Sequence, residues 1–506
     1  MLFSEEYFRL FEKVAAFRDR VAQKYLLTSD TARVSERLLR CIWYDRLYDE
    51  RRLTTRDERT IAVHSPGTWN LEGGPDFKNA DLTIGNRRVK GDVELHVNPA
   101  SWRLHGHSLD PRYDNVILHV TLTSRGRRQP VMSRHGAEIP ETVLWDCLTD
   151  DLKILRCALR PEEYPYRSMR NFGKCRGLLE QMPPEVSLRL LHIAGDARVI
   201  AKQRRFAYER ERQDLDQVAY AAVLEGMGYK AYTRQFGQLA QKLPYAPLRE
   251  RVLSSSTTRR VDDGVRLTQA LLLGAAGLLR HSGAKESPKA QRYFGGLRTL
   301  WRGHGFKNLS GDDIIWKGSA VRPANLPQRR IAGISHVLAR SYENGLFKSI
   351  LACVSKGHAR ETRTACIEYL TRGEDDFWSH RYSASGKRLR KPVSLVGRDR
   401  ALTIVVNAFV PLALFHARLE GHDEEEQAVH QLYSTLPSLP PNSITRLMEY
   451  RMFGGSPKKR MARSARAQQG LLQIFADWCS EDPSCEKCGI FAGLQSGNVR
   501  DSAPGD

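Results

Sequence analysis

The residues best equipped for chemistry stand between Gly73 and Val97. The run reads Gly73-Gly74-Pro75-Asp76-Phe77-Lys78-Asn79-Ala80-Asp81-Leu82-Thr83-Ile84, then Gly85-Asn86-Arg87-Arg88, then Val89-Lys90-Gly91-Asp92-Val93-Glu94-Leu95-His96-Val97. Apolar and polar residues alternate on both sides of a Gly-Asn pair whose members tolerate positive φ, so the segment reads as a β-hairpin. A turn at Asn86-Arg87 sets residue 84 against 89 and 81 against 92; a turn at Gly85-Asn86 with a bulge is the other register. Facing residues share a side of the sheet. One face then holds Leu82, Ile84, Val89, Val93, Leu95 and Val97, and the other Asp81, Thr83, Lys90, Asp92, Glu94 and His96. Three carboxylates on one face repel unless something positive sits between them, and Lys90, near the turn, answers only part of that charge. A divalent ion, Mg²⁺ or Mn²⁺, is the natural solution. The plain alternative is a solvated polar face of an antiparallel sheet.

Histidines gather just downstream. Ser101-Trp102-Arg103-Leu104-His105-Gly106-His107-Ser108-Leu109-Asp110 leads into Val116-Ile117-Leu118-His119-Val120, and His64, His96, His105, His107 and His119 are five of the chain's 15. An H-x-H pair with Asp110 nearby admits zinc hydrolase chemistry. Each histidine taken singly also reads as a buried or capping residue.

The third group is Cys479, Cys485 and Cys488, spaced Cys-x5-Cys-x2-Cys. A C-x2-C pair lets two thiolates converge on one ion, and a third cysteine six residues earlier closes most of a site. The fourth ligand is missing locally, leaving Cys157, Cys175, Cys353, Cys366 or a histidine. Zn²⁺ and an iron–sulfur cluster both fit, and ordinary thiols or a redox pair are the alternatives.

Elements of three kinds must position these groups. Leu38, Leu39, Ile42, Trp43 and Leu47 recur at helical steps, so residues 1 to about 50 are expected to be helical. From about Thr60 to Thr123 the period is two. From about Pro183 onward helical periodicity returns, as in Val186-Leu190-Leu191-Ala194. The expected class is α+β: a mixed α/β domain with N-terminal helices over 1–160, a basic, mainly helical domain over 161–470, and a C-terminal helix with the cysteine group over 471–506. Ser254–Arg260, Ser282–Ser287, Ser383–Pro392 and Gly454–Arg466 mix turn-forming residues with positive charge and are the candidate linkers.

Here the residues resemble a known superfamily. Pro75-Asp76, the acidic Asp81 and a strand ending in Glu94-x-His96, followed by a helix and another strand, look like the core of the PD-(D/E)XK nucleases. The resemblance implies a restriction-endonuclease-like sheet. It further implies Asp81 or Asp76 as first metal ligand, Glu94 as second, and the Leu95 carbonyl as a further one. His96 stands where the superfamily usually has lysine, and a histidine can accept a proton or bind the ion. Asp92-x-Glu94 is a second register of the motif. Glu36 corresponds to the acid that many members carry on their first helix, and His105, His107, Asp110 and His119 are candidate supporting residues. The set GGPDFKNAD, GDVELHV, SWRLHGH and YDNVILHV also resembles a widespread bacterial family of about this size with no established activity.

The chain has 79 Lys+Arg against 58 Asp+Glu, a net +21, which points to a polyanionic partner. Between Gly73 and Leu122 six acids meet six bases, so the excess lies elsewhere. It concentrates at Arg198-Lys202-Arg204-Arg205-Arg210-Arg212, Lys387-Arg388-Arg390-Lys391 and Lys458-Lys459-Arg460-Arg463-Arg466. The longest apolar run, Ala270 to Leu279, is about half a bilayer span, and the N-terminus lacks the basic stub and apolar block of a signal peptide. The expectation is a cytoplasmic, metal-dependent nuclease. Arg204, Arg205, Lys387, Arg388, Lys458 and Lys459 would grip DNA or RNA through its phosphates. A non-catalytic nucleic-acid-binding protein and a metal hydrolase acting on a non-nucleic substrate are the competing readings.

Overall fold

A computed structural model describes residues 3–11, 35–70, 74–123, 130–150, 152, 155, 159, 164, 172–255, 261–279, 287–303, 306, 314–316, 323–355, 357–454, 461–479, 485 and 488–496. Lys458 and Lys459 lie outside them, as does Cys157. The protein is mixed α+β, with a curled mixed sheet in its N-terminal part and helices after it.

The chain divides into two compact units. One comprises residues 10–187, 442–460 and 474–506, and the other 1–9, 188–441 and 461–473. These bounds differ from those expected at 160 and 470. The Ser443–Phe453 and Gly489–Gln495 helices both pack on the Cys175–Glu180 helix, so the chain's end belongs with its sheet rather than to a separate domain.

In the α/β unit six strands run in the order β1-β3-β4-β5-β6, with β2 also paired to β3. They are β1 Ile61–Ser65, β2 Thr68–Trp69, β3 Phe77–Ile84, β4 Arg87–His96, β5 Val116–Thr121 and β6 Glu141–Val143. β1, β3 and β4 are antiparallel, whereas β5 and β6 run parallel to β4. The hairpin turn is Gly85-Asn86, since Ile84 pairs with Arg87 and Asp81 with Lys90. Gly85 takes φ +58 there, a conformation that glycine adopts without cost. The bulge stands further down. Between the pairs Phe77↔Val93 and Ala80↔Gly91, β3 spends two residues against one on β4, and Asn79 takes φ 57.

The polar side of β4 is not a solvated face. Val93 and Leu95 enter the core with Leu38, Leu39, Ile42 and Trp43 of the Glu36–Tyr44 helix. Asp92, Glu94 and His96 are buried as well. The β4–β5 crossover carries the Ser101–Leu104 helix and the short turns His107–Leu109 and Pro111–Tyr113. Trp102 and Tyr113 form a small second core with Val116, Val131 and Ile139.

The helical unit is built around one large apolar core. Its Arg398–Glu420 run is long and apolar enough to cross a membrane, yet 72% of that stretch is buried inside the protein. The helix widens into a π turn at Val405–Phe409. Pro411 two residues on lacks the N–H that a regular turn would use, and such local widening absorbs the defect.

A candidate metal centre

Three imidazoles from the end of β4 and the crossover after it converge, and Glu94 lies against two of them. His96 Nε2 is 3.1 Å from His105 Nδ1 and 3.3 Å from His107 Nε2. Glu94 Oε1 is 3.3 Å from His107 Nε2 and 3.5 Å from His96 Nε2. The three imidazole nitrogens all lie within 4.8 Å of one another. Ligand atoms held 2.0–2.1 Å from a shared tetrahedral ion stand about 3.3 Å apart, which is the spacing of these contacts.

A relay behind His96 fixes its proton. His119 Nδ1 lies 2.7 Å from Glu141 Oε2, and a carboxylate only accepts, so His119 donates from Nδ1 and presents a lone pair at Nε2. His96 Nδ1, 2.9 Å from that Nε2, must then donate. The other nitrogen of His96, Nε2, is left bare toward the cluster. Burial, followed by the neighbouring His119, His107 and His105, holds the His96 ring neutral, with its pKa pushed down to about 2. Burial also lowers the pKa of His107 and His119. The bare Nε2 of His96 and the nitrogens of His105 and His107 can all turn lone pairs toward one shared cation.

Packing sets the rings. Tyr113 stacks on His107 at 3.9 Å between centroids, and Trp102 meets His107 edge-on and lies tilted to His119. His96 and His107 are buried while His105 is exposed, so the centre is reached from the His105 side.

Carboxylates and one arginine adjoin the cluster. Asp76 stands beside Glu94, accepting from Leu95 N at 3.1 Å while its own N–H donates to Glu94 Oε2 at 2.9 Å. Arg40 Nη2 is 2.8 Å from Asp76 Oδ1. Burial, opposed by Arg40, pushes Asp76 up to about 7 and Glu94 up to about 8. Glu36, one turn before Arg40, is raised by burial and feels Arg40, Asp76, His105 and His107. The structure therefore brings together Glu36, Asp76, Glu94, His96, His105, His107 and His119.

Asp110 lies within electrostatic range of His107, but Asp81 and Asp92 are engaged elsewhere. Asp81 is held by Arg88 at 2.8 Å through both oxygens and by Lys90 at 3.6 Å. The Arg88 hydrogen bonds lower its pKa to about 2. Asp92 Oδ1 accepts from Asn79 N at 3.0 Å and closes the bulge. Asp110 caps the Pro111–Tyr113 turn and pairs with Arg112 at 2.7 Å.

Arg40, Glu141 and Arg56 escaped the sequence reading. Arg40 follows Glu36 by four residues, a spacing that shares a helix face and so carried a usable signal. Glu141 carried none: it reaches His119 only because β6 pairs with β5 in the register His119↔Glu141. Arg56 Nε, 2.5 Å from Glu141 Oε1, holds it from the far side.

The basic clusters fare differently. Arg204 pairs with Glu5 at 3.3 Å, Arg205 with Glu209 at 3.1 Å and Glu225 at 2.9 Å, and Lys202 with Asn407. Lys387, Arg388, Arg390 and Lys391 are exposed. Cys479, Cys485 and Cys488 all fall in the α/β unit, with Arg451 Nη2 3.5 Å from Cys485 Sγ.

Fold and site together define an α+β protein with a buried histidine–carboxylate centre at the end of a parallel crossover. The chain matches the family described as "Protein of unknown function (DUF2851)" over residues 36–440 and belongs to it. No curated protein and no solved structure matches the chain.

Proposed function

We propose that the chain is a metal-dependent nuclease whose ion is held by Glu94, His96, His105 and His107. The observation that carries this reading is the bare Nε2 of His96, fixed by the His119–Glu141 relay and facing three further donors at 3.1–3.5 Å. Imidazole donors favour Zn²⁺ or a similar first-row ion over Mg²⁺, and the Glu94 carboxylate also suits Mn²⁺. Such an ion lowers the pKa of a bound water and polarises a phosphoryl oxygen.

The element order also supports the reading. A helix bearing Glu36, two successive strands of which the second ends in Glu94-x-His96, then a helix and another strand is the order that the resemblance to PD-(D/E)XK nucleases implies. Pro75-Asp76 precedes β3 and Glu94-x-His96 ends β4. The chain's own residues then divide the work: Asp76 and Arg40 set the charge beside Glu94, Trp102 and Tyr113 fix the rings, and exposed His105 marks the side from which a phosphate arrives.

One observation favours a second reading. Three imidazoles in a charge-balanced neighbourhood also suit a metal hydrolase acting on a small, non-nucleic ester. Purified protein loaded with Mn²⁺ or Zn²⁺ is assayed on single- and double-stranded DNA, on RNA and on a small aryl phosphodiester. Under the first reading polynucleotides are cut, and Glu94→Gln and His107→Ala each lower the rate about 100-fold or more. Turnover of the small ester with intact polynucleotides selects the second reading. Undiminished cutting by Glu94→Gln would refute the assignment of the centre.

A further inference from the structure

The Cys-x5-Cys-x2-Cys segment takes no part in the histidine centre and has its own surroundings. Cys479 ends the π turn Phe475–Cys479, and Cys488 is the N-cap of the Gly489–Gln495 helix. Cys485 between them takes φ 65, a backbone cost that side chains other than glycine rarely bear without compensation. Far upstream, Cys175 opens the Cys175–Glu180 helix, which packs against both Ser443–Phe453 and Gly489–Gln495. Its sulfur lies in electrostatic range of Cys479, Cys485 and Cys488. None of the four is in a disulfide.

The surroundings are those of thiolates. Buried Arg451 reaches Cys485 Sγ and also bonds Cys479. The backbone N–H groups of Ile490 and Phe491 donate to Cys488. Donors of this kind stabilise negative sulfur, the form in which cysteine binds a metal. Among the described residues no three of these sulfurs lie within 4.8 Å of one another, while the edges of a zinc–thiolate tetrahedron are about 3.8 Å. The occupant therefore either draws the four together or spans them as a polynuclear cluster.

We propose that Cys175, Cys479, Cys485 and Cys488 form a four-thiolate metal centre that takes zinc or an iron–sulfur cluster, with Cys175 as the ligand remote in sequence. The centre fastens the Gly489–Gln495 helix to the helix that opens at Cys175.

Full-length protein is purified without oxygen, and its zinc, iron, acid-labile sulfide and visible spectrum are measured. Zinc near one per chain beyond what a His107→Ala variant loses, or iron with sulfide and brown absorption, is the expected result. The first outcome identifies a mononuclear site and the second a cluster. Cys175→Ser and Cys485→Ser should each remove that metal, while Cys366→Ser, a buried thiol of the other unit, should not. Because a cysteine variant can fail to fold, the His107→Ala protein is also stripped by chelator and titrated with Co²⁺. Thiolate-to-cobalt charge-transfer absorption supports the centre. Its absence, together with the absence of iron and sulfide, overturns the proposal, as does a folded Cys175→Ser protein that keeps the full metal content.

Discussion

At the residue scale, the proposed centre depends on a carboxylate two residues removed from the ligand it orients. Glu141 orients His119, His119 accepts from His96, and only then does His96 present Nε2 to an ion. Partners of this kind hold a ligand's tautomer and typically account for 10–100-fold in metal affinity. Glu141→Ala is therefore expected to weaken Mn²⁺ or Zn²⁺ affinity about 10–100-fold, measured by competition with a chelator, while Glu141→Gln, which can still accept from His119, restores most of it. Equal affinities for Glu141→Ala and the parent protein would remove the relay from the account. Asp81 supplies the contrast. The resemblance offers Asp81 or Asp76 as first ligand, yet the oxygens of Asp81 are taken up by Arg88 and Lys90. Asp81→Asn should leave metal affinity within about twofold, since an exposed ion pair contributes little. A loss comparable to that of Glu94→Gln would return Asp81 to the centre.

At the element scale, the hairpin was legible because period-two alternation and a Gly-Asn turn are local signals. Its registration was not, because a bulge depends on both strands at once. Asn79 at φ 57 inserts the extra residue, and upstream of it Asp76 comes beside Glu94 while Asp81 stays opposite Lys90. The histidine enrichment was legible as composition, whereas the convergence of His96, His105, His107 and His119 required the parallel crossover. In the helical unit, periodicity marked the helices but not how closely two of them approach. A Cβ on Gly195, in the Pro184–Arg210 helix, would stand 2.2 Å from Arg466 O, and one on Gly470, in the Ala465–Ile474 helix, 2.0 Å from Leu191 O. The two backbones touch through paired glycines. Gly195→Ala and Gly470→Ala are each expected to cost about 1–3 kcal/mol, the usual range for overpacking, read from denaturant midpoints. Gly295, in the Pro288–Arg302 helix, has nothing within 4 Å of its Cβ position. Gly295→Ala should therefore stabilise by up to about 1 kcal/mol through helix propensity. Stabilisation at all three positions would mean that the close crossing is absent.

At the scale of the whole molecule, the net +21 is not equally available to a polyanion. Around Arg198–Arg212 much of it is spent internally, on Glu5, Glu209, Glu225, Gln469 and Asn407. The Lys387–Lys391 segment differs, because its four charges are exposed on a loop pinned from beneath. Buried Arg329 donates to the carbonyls of Arg381, Val393, Ser394 and Leu395 at 3.0–3.3 Å. The loop also closes on itself through Leu389 N to His380 O and Val393 N to Ser379 O, both 2.8 Å. Cations held on a fixed loop lose little conformational freedom on meeting phosphates, and each phosphate neutralised contributes about 0.9 to the slope of log affinity against log salt on duplex DNA. Replacing Lys387, Arg388, Arg390 and Lys391 together by alanine should lower affinity for DNA at low salt and flatten that slope by up to about 3.6, with no change in metal content at the histidine centre. Replacing Arg204 and Arg205, whose charges are already paired, should change the slope by less than 1. A quadruple variant with the parent's slope would place the grip elsewhere on the protein, and parent protein with no salt-dependent affinity at all would favour the hydrolase of small esters.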